Sequence, residues 1–144
     1  MVPADELARG VSRLLLDRGY APMVEVSLKN GRRVDVMGIG RKGEICVVEI
    51  KSSREDFLTD GKWHEYLDFA DSFYFAVAAD FPQEILPAGE GLIIADGYHG
   101  DIVRPSVHRN VPAARRRSIL LHFARTAAFR TRRHEDPGLP ALPV

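Results

Sequence analysis

The 144-residue sequence predicts an α/β fold: a mixed sheet of about five strands that opens with a hairpin and is flanked by helices. Three observations carry this reading. Asn30-Gly31 separates two alternating segments and is a strong short-range hairpin signal. Ile45, Cys46, Val47, Val48 and Ile50 form an apolar run that suits a strand buried on both faces. Apolar residues recur at helical spacing near both ends of the chain.

The elements follow in order. Ala4 to Arg18 reads as a helix because Leu7, Val11, Leu14 and Leu15 fall on one stripe, with Asp5 available as a cap and Gly19 closing it. Met23 to Leu28 alternates, with Val24, Val26 and Leu28 on one side and Glu25 and Ser27 on the other. Arg32 to Ile39 returns from the hairpin, and Glu44 to Lys51 forms a central third strand. Ser52-Ser53 precedes Glu55 and Asp56 at capping-box distance, so a helix starts near Arg54, with Trp63, Tyr66, Leu67 and Ala70 as its inner stripe. Ser72 to Ala79 and Leu92 to Ala95 read as strands four and five, and Asp101 to Arg104 as a short edge strand. Pro112 starts a last helix that runs to about residue 129. Residues 1–134 then form one domain, and 135–144, rich in Pro, a flexible tail.

Composition narrows the function classes. The one cysteine, Cys46, excludes an internal disulfide and a cysteine-based zinc finger, and the five histidines show no zinc-ligand spacing. With no secretory signal and no apolar stretch long enough for a bilayer, a cytoplasmic protein is expected, with no membrane partner. Net charge is zero, yet residues 1–101 hold 11 Lys/Arg against 18 Asp/Glu, whereas residues 102–134 hold nine Arg and no acid. Such an arginine block suits an anionic partner.

The feature that does not fit a plain core is Glu49 and Lys51 within the apolar strand. Two residues apart, they share a face at about 7 Å. Asp35 can sit beside Glu49 if the second strand pairs with the third, and Glu25 can approach from the first strand. Buried charges are costly unless they are paired or bind a cation. Mg²⁺ or Mn²⁺ supplies a reason: Asp35, Glu49 and the carbonyl of Ile50 are hard oxygen ligands, and Lys51 would stand beside the attacking water or the scissile phosphate. That is the chemistry of phosphodiester hydrolysis. Asp56 and Asp60, four apart, are explained by the favourable dipole of a helix's first turns, and Trp63 and Tyr66 by core packing.

Asp35, then 13 residues, then Glu49-Ile50-Lys51 resembles the D…(D/E)xK signature of the PD-(D/E)XK nuclease superfamily. The block RRVDVMGIGRKGEICVVEIKSSREDFLTDGKWHEYLDFADSFYFAV, residues 32–77, is similar to the bacterial MmcB family of DNA repair proteins. The resemblance implies a restriction-endonuclease-like core, DNA as partner and a nucleoid-associated role in DNA damage tolerance. By position, Asp35 and Glu49 match the metal-binding acids and Lys51 the catalytic lysine. Glu25 would be an additional acid, with Glu6 its competitor. Val34 departs from the signature's proline.

The last helix is the second candidate region. Arg115, Arg116, Arg117 and Arg125 could grip DNA phosphates through bidentate, salt-sensitive contacts, with Lys62 near the acids as a further phosphate contact. A homodimer would be needed for one site to cut both strands, and other repair proteins are candidate partners. The alternative to a nuclease is a DNA-binding or scaffolding module that keeps the fold without cleavage.

Overall fold

A computed structural model describes residues 1–143. The elements are α1 (Ala4–Asp17), β1 (Ala21–Ser27), β2 (Arg33–Ile39), β3 (Ile45–Ile50), α2 (Arg54–Leu58), a 3₁₀ segment (Trp63–Phe69), β4 (Ser72–Val77), a short 3₁₀ turn (Gln83–Ile85), β5 (Gly91–Ala95), β6 (Gly100–Arg104) and α3 (Ala113–Glu135). All six strands form one sheet in sequential order. The first two pairings and the last are antiparallel, whereas β3–β4 and β4–β5 are parallel. The sheet is therefore mixed as expected, with six strands instead of about five, because Gly100–Arg104 pairs with β5, with a register shift between Leu92 and Ile93.

The sheet buries both faces. On one, Leu7, Val11, Leu14 and Leu15 of α1 pack on Val36, Cys46, Val48 and Ile50. On the other, Trp63, Tyr66 and Ile119 cover Met37, Val47, Phe73 and Phe75. Every residue of β3 is buried, as the apolar run requires of a central strand. Cys46 lies in this core as a free thiol whose pKa burial pushes up to about 11.

The hairpin after β1 is wider than a two-residue turn. Leu28 N–H reaches Arg32 O at 2.7 Å, and Gly31 alone of the turn residues takes positive φ, 84°. This is the three-residue turn in which glycine supplies the left-handed position.

Four expectations need correction. The alternation of β1 breaks at Glu25, which has φ 53°, so Val26 and Leu28 are buried while Val24 is exposed. The helix after Ser53 is one short α2, stopped at the Thr59-Asp60-Gly61 turn, and the aromatic stripe sits on a separate 3₁₀ segment. The first helix begins after Pro3 with no side-chain cap, and Asp5 lies in its first turn. The last helix runs to Glu135, past its expected end near residue 129 and one residue into the segment expected as a tail. That segment's final residue, 144, lies outside the described region.

Candidate active site

The β2–β3 ladder runs from Ile39↔Ile45 to Val36↔Val48. At the next position along each strand, Asp35 and Glu49, side chains take over from the backbone ladder. The Asp35 N–H donates to Glu49 Oε1 at 3.3 Å, and the Ile50 N–H donates to Asp35 Oδ2 at 2.8 Å. Each carboxylate thus satisfies a main-chain donor of the opposite strand, which keeps these polar groups paired inside the sheet. Val47 and Met37, facing partners two residues back, bury into the aromatic-covered core. By strand alternation, Glu49 and Asp35 point to that same side.

Two like charges in this place oppose each other. Burial first and the neighbouring Asp35 carboxylate second push the Glu49 carboxyl up to about 9. Burial also raises Asp35, although the Ile50 N–H favours its charged form.

Lys51 is the cationic member. Only 4% exposed, its Nζ lies 2.7 Å from Asp60 Oδ2 and 3.8 Å from Glu49 Oε2. Its own N–H pairs with Ala76 O, which fixes the backbone as the chain leaves β3. The sequence places Asp60 on a helix continuing from Arg54, whose dipole would account for it. It sits instead on the turn after α2, its Oδ1 accepting from the Lys62 N–H at 2.8 Å. Burial works to raise its pKa, but the Lys51 hydrogen bond and the Lys62 N–H outweigh it, so Asp60 titrates below the ordinary carboxylate range. The Asp60-Gly61 dipeptide, a turn signal, is the feature that could have separated it from the helix.

Asp56 completes the frame over the site. Its N–H donates to the N-cap Ser53 Oγ at 3.1 Å while its Oδ2 accepts from the N–H of the preceding Ser52 at 3.1 Å, which ties the start of α2 to the end of β3. Tyr66 closes another side: its hydroxyl donates to Arg33 O at 3.1 Å, and burial, then the charges of Glu49 and Asp35, raise its pKa.

Glu25 does not join the pair. It stands opposite Asp35 in the β1–β2 register, but its left-handed backbone turns the side chain outward, where it is exposed and 3.6 Å from Arg33 Nη1. Glu6 faces Gly97, on the turn between β5 and β6. Among the described residues, no group of three acids, histidines or cysteines is placed to hold a metal. The remaining donors, two carboxylates and the Ile50 carbonyl between Glu49 and Lys51, are all oxygen. They fit Mg²⁺ or Mn²⁺, which takes one or two carboxylates and fills its other positions with water.

The arginines of α3 divide. Arg116 is structural: its guanidinium clasps Asp71 at 2.6 and 2.7 Å and reaches Gly43 O at 2.8 Å, so it is not a free phosphate contact. Burial pushes Asp71 up, but Arg116 and the N–H groups of Ile45 and Val111 outweigh it and bring the pKa to about 2. Arg115 lies over the Phe69 ring at 5.3 Å, while Arg117 and Arg125 are exposed and Arg125 touches Pro143 O at 3.3 Å. Lys62 is exposed beside Asp60. Arg130, from the last turns of α3, hydrogen-bonds the carbonyls of Val24 and Glu25 and fastens this helix to β1.

No curated protein matches the chain. Among solved structures, it is similar to a protein of unknown function from Silicibacter pomeroyi, with 44% identity, a TM-score of 0.93 and 99% of each chain covered. A family profile described as DNA repair protein MmcB-like matches residues 3–138. With Asp35, Glu49 and Lys51 inside the matched region, and the match running from α1 through α3, the chain belongs to the MmcB-like DNA repair family.

Proposed function

We propose that this protein is a metal-dependent DNA nuclease of the restriction-endonuclease-like, PD-(D/E)XK type acting in DNA repair. The observation that carries the reading is the facing of Asp35 and Glu49 across β2 and β3, with the buried Lys51 ammonium 3.8 Å from Glu49. Asp35, Glu49 and the Ile50 carbonyl would hold Mg²⁺ or Mn²⁺. When bound, such a cation supplies a water of lowered pKa and offsets charge developing on phosphate oxygen.

The chain's own residues do the rest. Lys51 offers a fixed positive charge for a phosphate group, and a fixed charge costs no reorganisation as the reaction proceeds. Asp60 orients that ammonium through the 2.7 Å contact. The exposed Lys62, Arg117 and Arg125 supply sequence-independent backbone contacts.

A second reading, a non-cleaving DNA-binding or scaffolding module, is favoured by one observation. Glu49 and Lys51 are only 5% and 4% exposed, and each already has an internal partner.

Incubating the protein with single-stranded, nicked, branched and duplex DNA in Mg²⁺, Mn²⁺ or EDTA separates the two readings. The nuclease reading expects metal-dependent cleavage that falls about 100-fold or more in Lys51→Ala and is lost in Glu49→Ala. Asp60→Asn should lower the rate less than Lys51→Ala. Absence of cleavage on every substrate, or cleavage that survives both alanine variants, overturns it.

A further inference from the structure

A cavity of about 740 Å³ opens between the β1–β2 hairpin and the first half of α3. It belongs to none of the groups assigned above except Arg115. Its floor is apolar: Val26, Leu28, Met37, Ile119 and the ring of Phe69. Its rim carries Lys29, Arg115, Ser118 and His122, and no Asp or Glu lines it among the described residues. Lys29, Arg115 and His122 are exposed, and Ser118 is half-buried.

An apolar floor with an aromatic ring, cations on one edge and further hydrogen-bonding groups beside them is complementary to an amphipathic anion with a flat body. The cavity falls in the size range of small-ligand sites. Its place narrows the ligand class. Met37 lies two residues beyond Asp35 on β2 and belongs to the cluster toward which Asp35 and Glu49 point, one strand step of roughly 7 Å away. A base stacked on an aromatic or apolar surface, with its phosphate near Lys or Arg, is how sequence-independent single-strand sites are built.

We propose that this cavity binds one nucleotide, its base against Phe69, Leu28 and Ile119, which present the accessible apolar surface above the fully buried Met37, and its phosphate at Lys29 and Arg115. The nucleotide is either free or an unpaired unit of a DNA strand whose neighbouring phosphates lie toward Asp35 and Glu49. The choice of nucleotide over another flat anion rests on the DNA reading above; binding itself does not depend on cleavage.

The test is made in EDTA on the full chain, where cleavage plays no part, so failure of the nuclease reading leaves it intact. Two probes are used: dAMP followed by NMR line shifts, and a single-stranded oligonucleotide carrying 2-aminopurine followed by fluorescence. Ser118→Trp fills the cavity from α3, Lys29→Glu reverses a rim charge without touching the floor, and Leu121→Trp, at an exposed site outside the lining, is the control. Binding should weaken about tenfold or more in Ser118→Trp and in Lys29→Glu and persist in Leu121→Trp. Binding of dAMP assigns a free nucleotide; binding of the oligonucleotide alone assigns a strand. Circular dichroism checks folding of each variant, and Lys29→Glu decides if Ser118→Trp is unfolded. Failure of both probes to bind, or binding unchanged in the folded cavity variants, overturns the proposal.

Discussion

Glu49, Lys51 and Asp71 are ionisable side chains no more than 5% exposed, and each is held by a different solution to the cost of burial. Glu49 shares its space with Asp35 and is pushed toward the protonated form, Lys51 leans on Asp60, and Asp71 is clasped by Arg116 with help from two N–H groups. Asp71 gives the clearest prediction at this scale. Its folded pKa, about 2, lies below its ordinary 3.8, so the pair contributes stability above about pH 4 that is lost as pH falls toward 2. Asp71→Asn should therefore lower stability at pH 7 by about 2 kcal/mol, since Arg116 is partly open to water, and should flatten the decline between pH 4 and 2. Urea unfolding at several pH values measures it; an unchanged acid slope would contradict the assignment. Residues differed in how far the sequence revealed them. Asp35, Glu49 and Lys51 were legible because strand alternation and the hairpin register fix who faces whom. Arg116 was misread as a free phosphate contact because its partner is 45 residues upstream, where no local pattern reaches. Glu25 was placed in the site by an alternation that its own positive φ interrupts.

Among the elements, α1 shows how closely a predicted helix can be required to fit. Its apolar stripe was plain from Leu7, Val11, Leu14 and Leu15, but the stripe does not reveal what the helix must pass. Gly10 does: a Cβ there would collide with the carbonyl oxygens of Asp96 and His99 on the β5–β6 turn. Gly10→Ala should destabilise by about 1–3 kcal/mol, despite alanine's better helix propensity, because the helix must shift off the turn. A thermal melt checks it, and a stabilised variant would mean that α1 does not approach the turn this closely. The other elements divide on the same principle. β3 was readable from its unbroken apolar run, and the start of α2 from the Ser53–Asp56 cap. The end of α2 was not, because the apolar spacing of Trp63, Tyr66 and Leu67 continues a helical period across the Asp60-Gly61 turn. The length of α3 was underread for a similar reason. Its apolar stripe fades near residue 129 while good helix formers continue to Glu135, and Arg130 ties that stretch to β1.

At the scale of the whole molecule, β3 is the strand where the sheet changes character, antiparallel to β2 and parallel to β4. Glu49 and Lys51 emerge near its carboxyl end, where the regular β2–β3 ladder stops and side chains replace it. Two layers, α1 below and the 3₁₀ segment with α3 above, hold the strands on which the acids stand. The chain's charge asymmetry follows the same layout: most acids lie in the sheet and its connections, whereas α3 carries seven arginines and one acid, Glu135. The mixed fold, its hairpin opening and the acid–lysine set were all written in local patterns. The turn that brings Asp60 to Lys51 and the cavity between hairpin and α3 arise only when distant segments meet. The central claim is that Asp35 and Glu49 together form a divalent-cation site. Mn²⁺ titration followed by electron paramagnetic resonance tests it most directly, on the wild-type chain and on Asp35→Asn and Glu49→Gln. The account predicts a bound Mn²⁺ signal that either substitution abolishes; an equally strong signal in both variants, or none in the wild type, would contradict it.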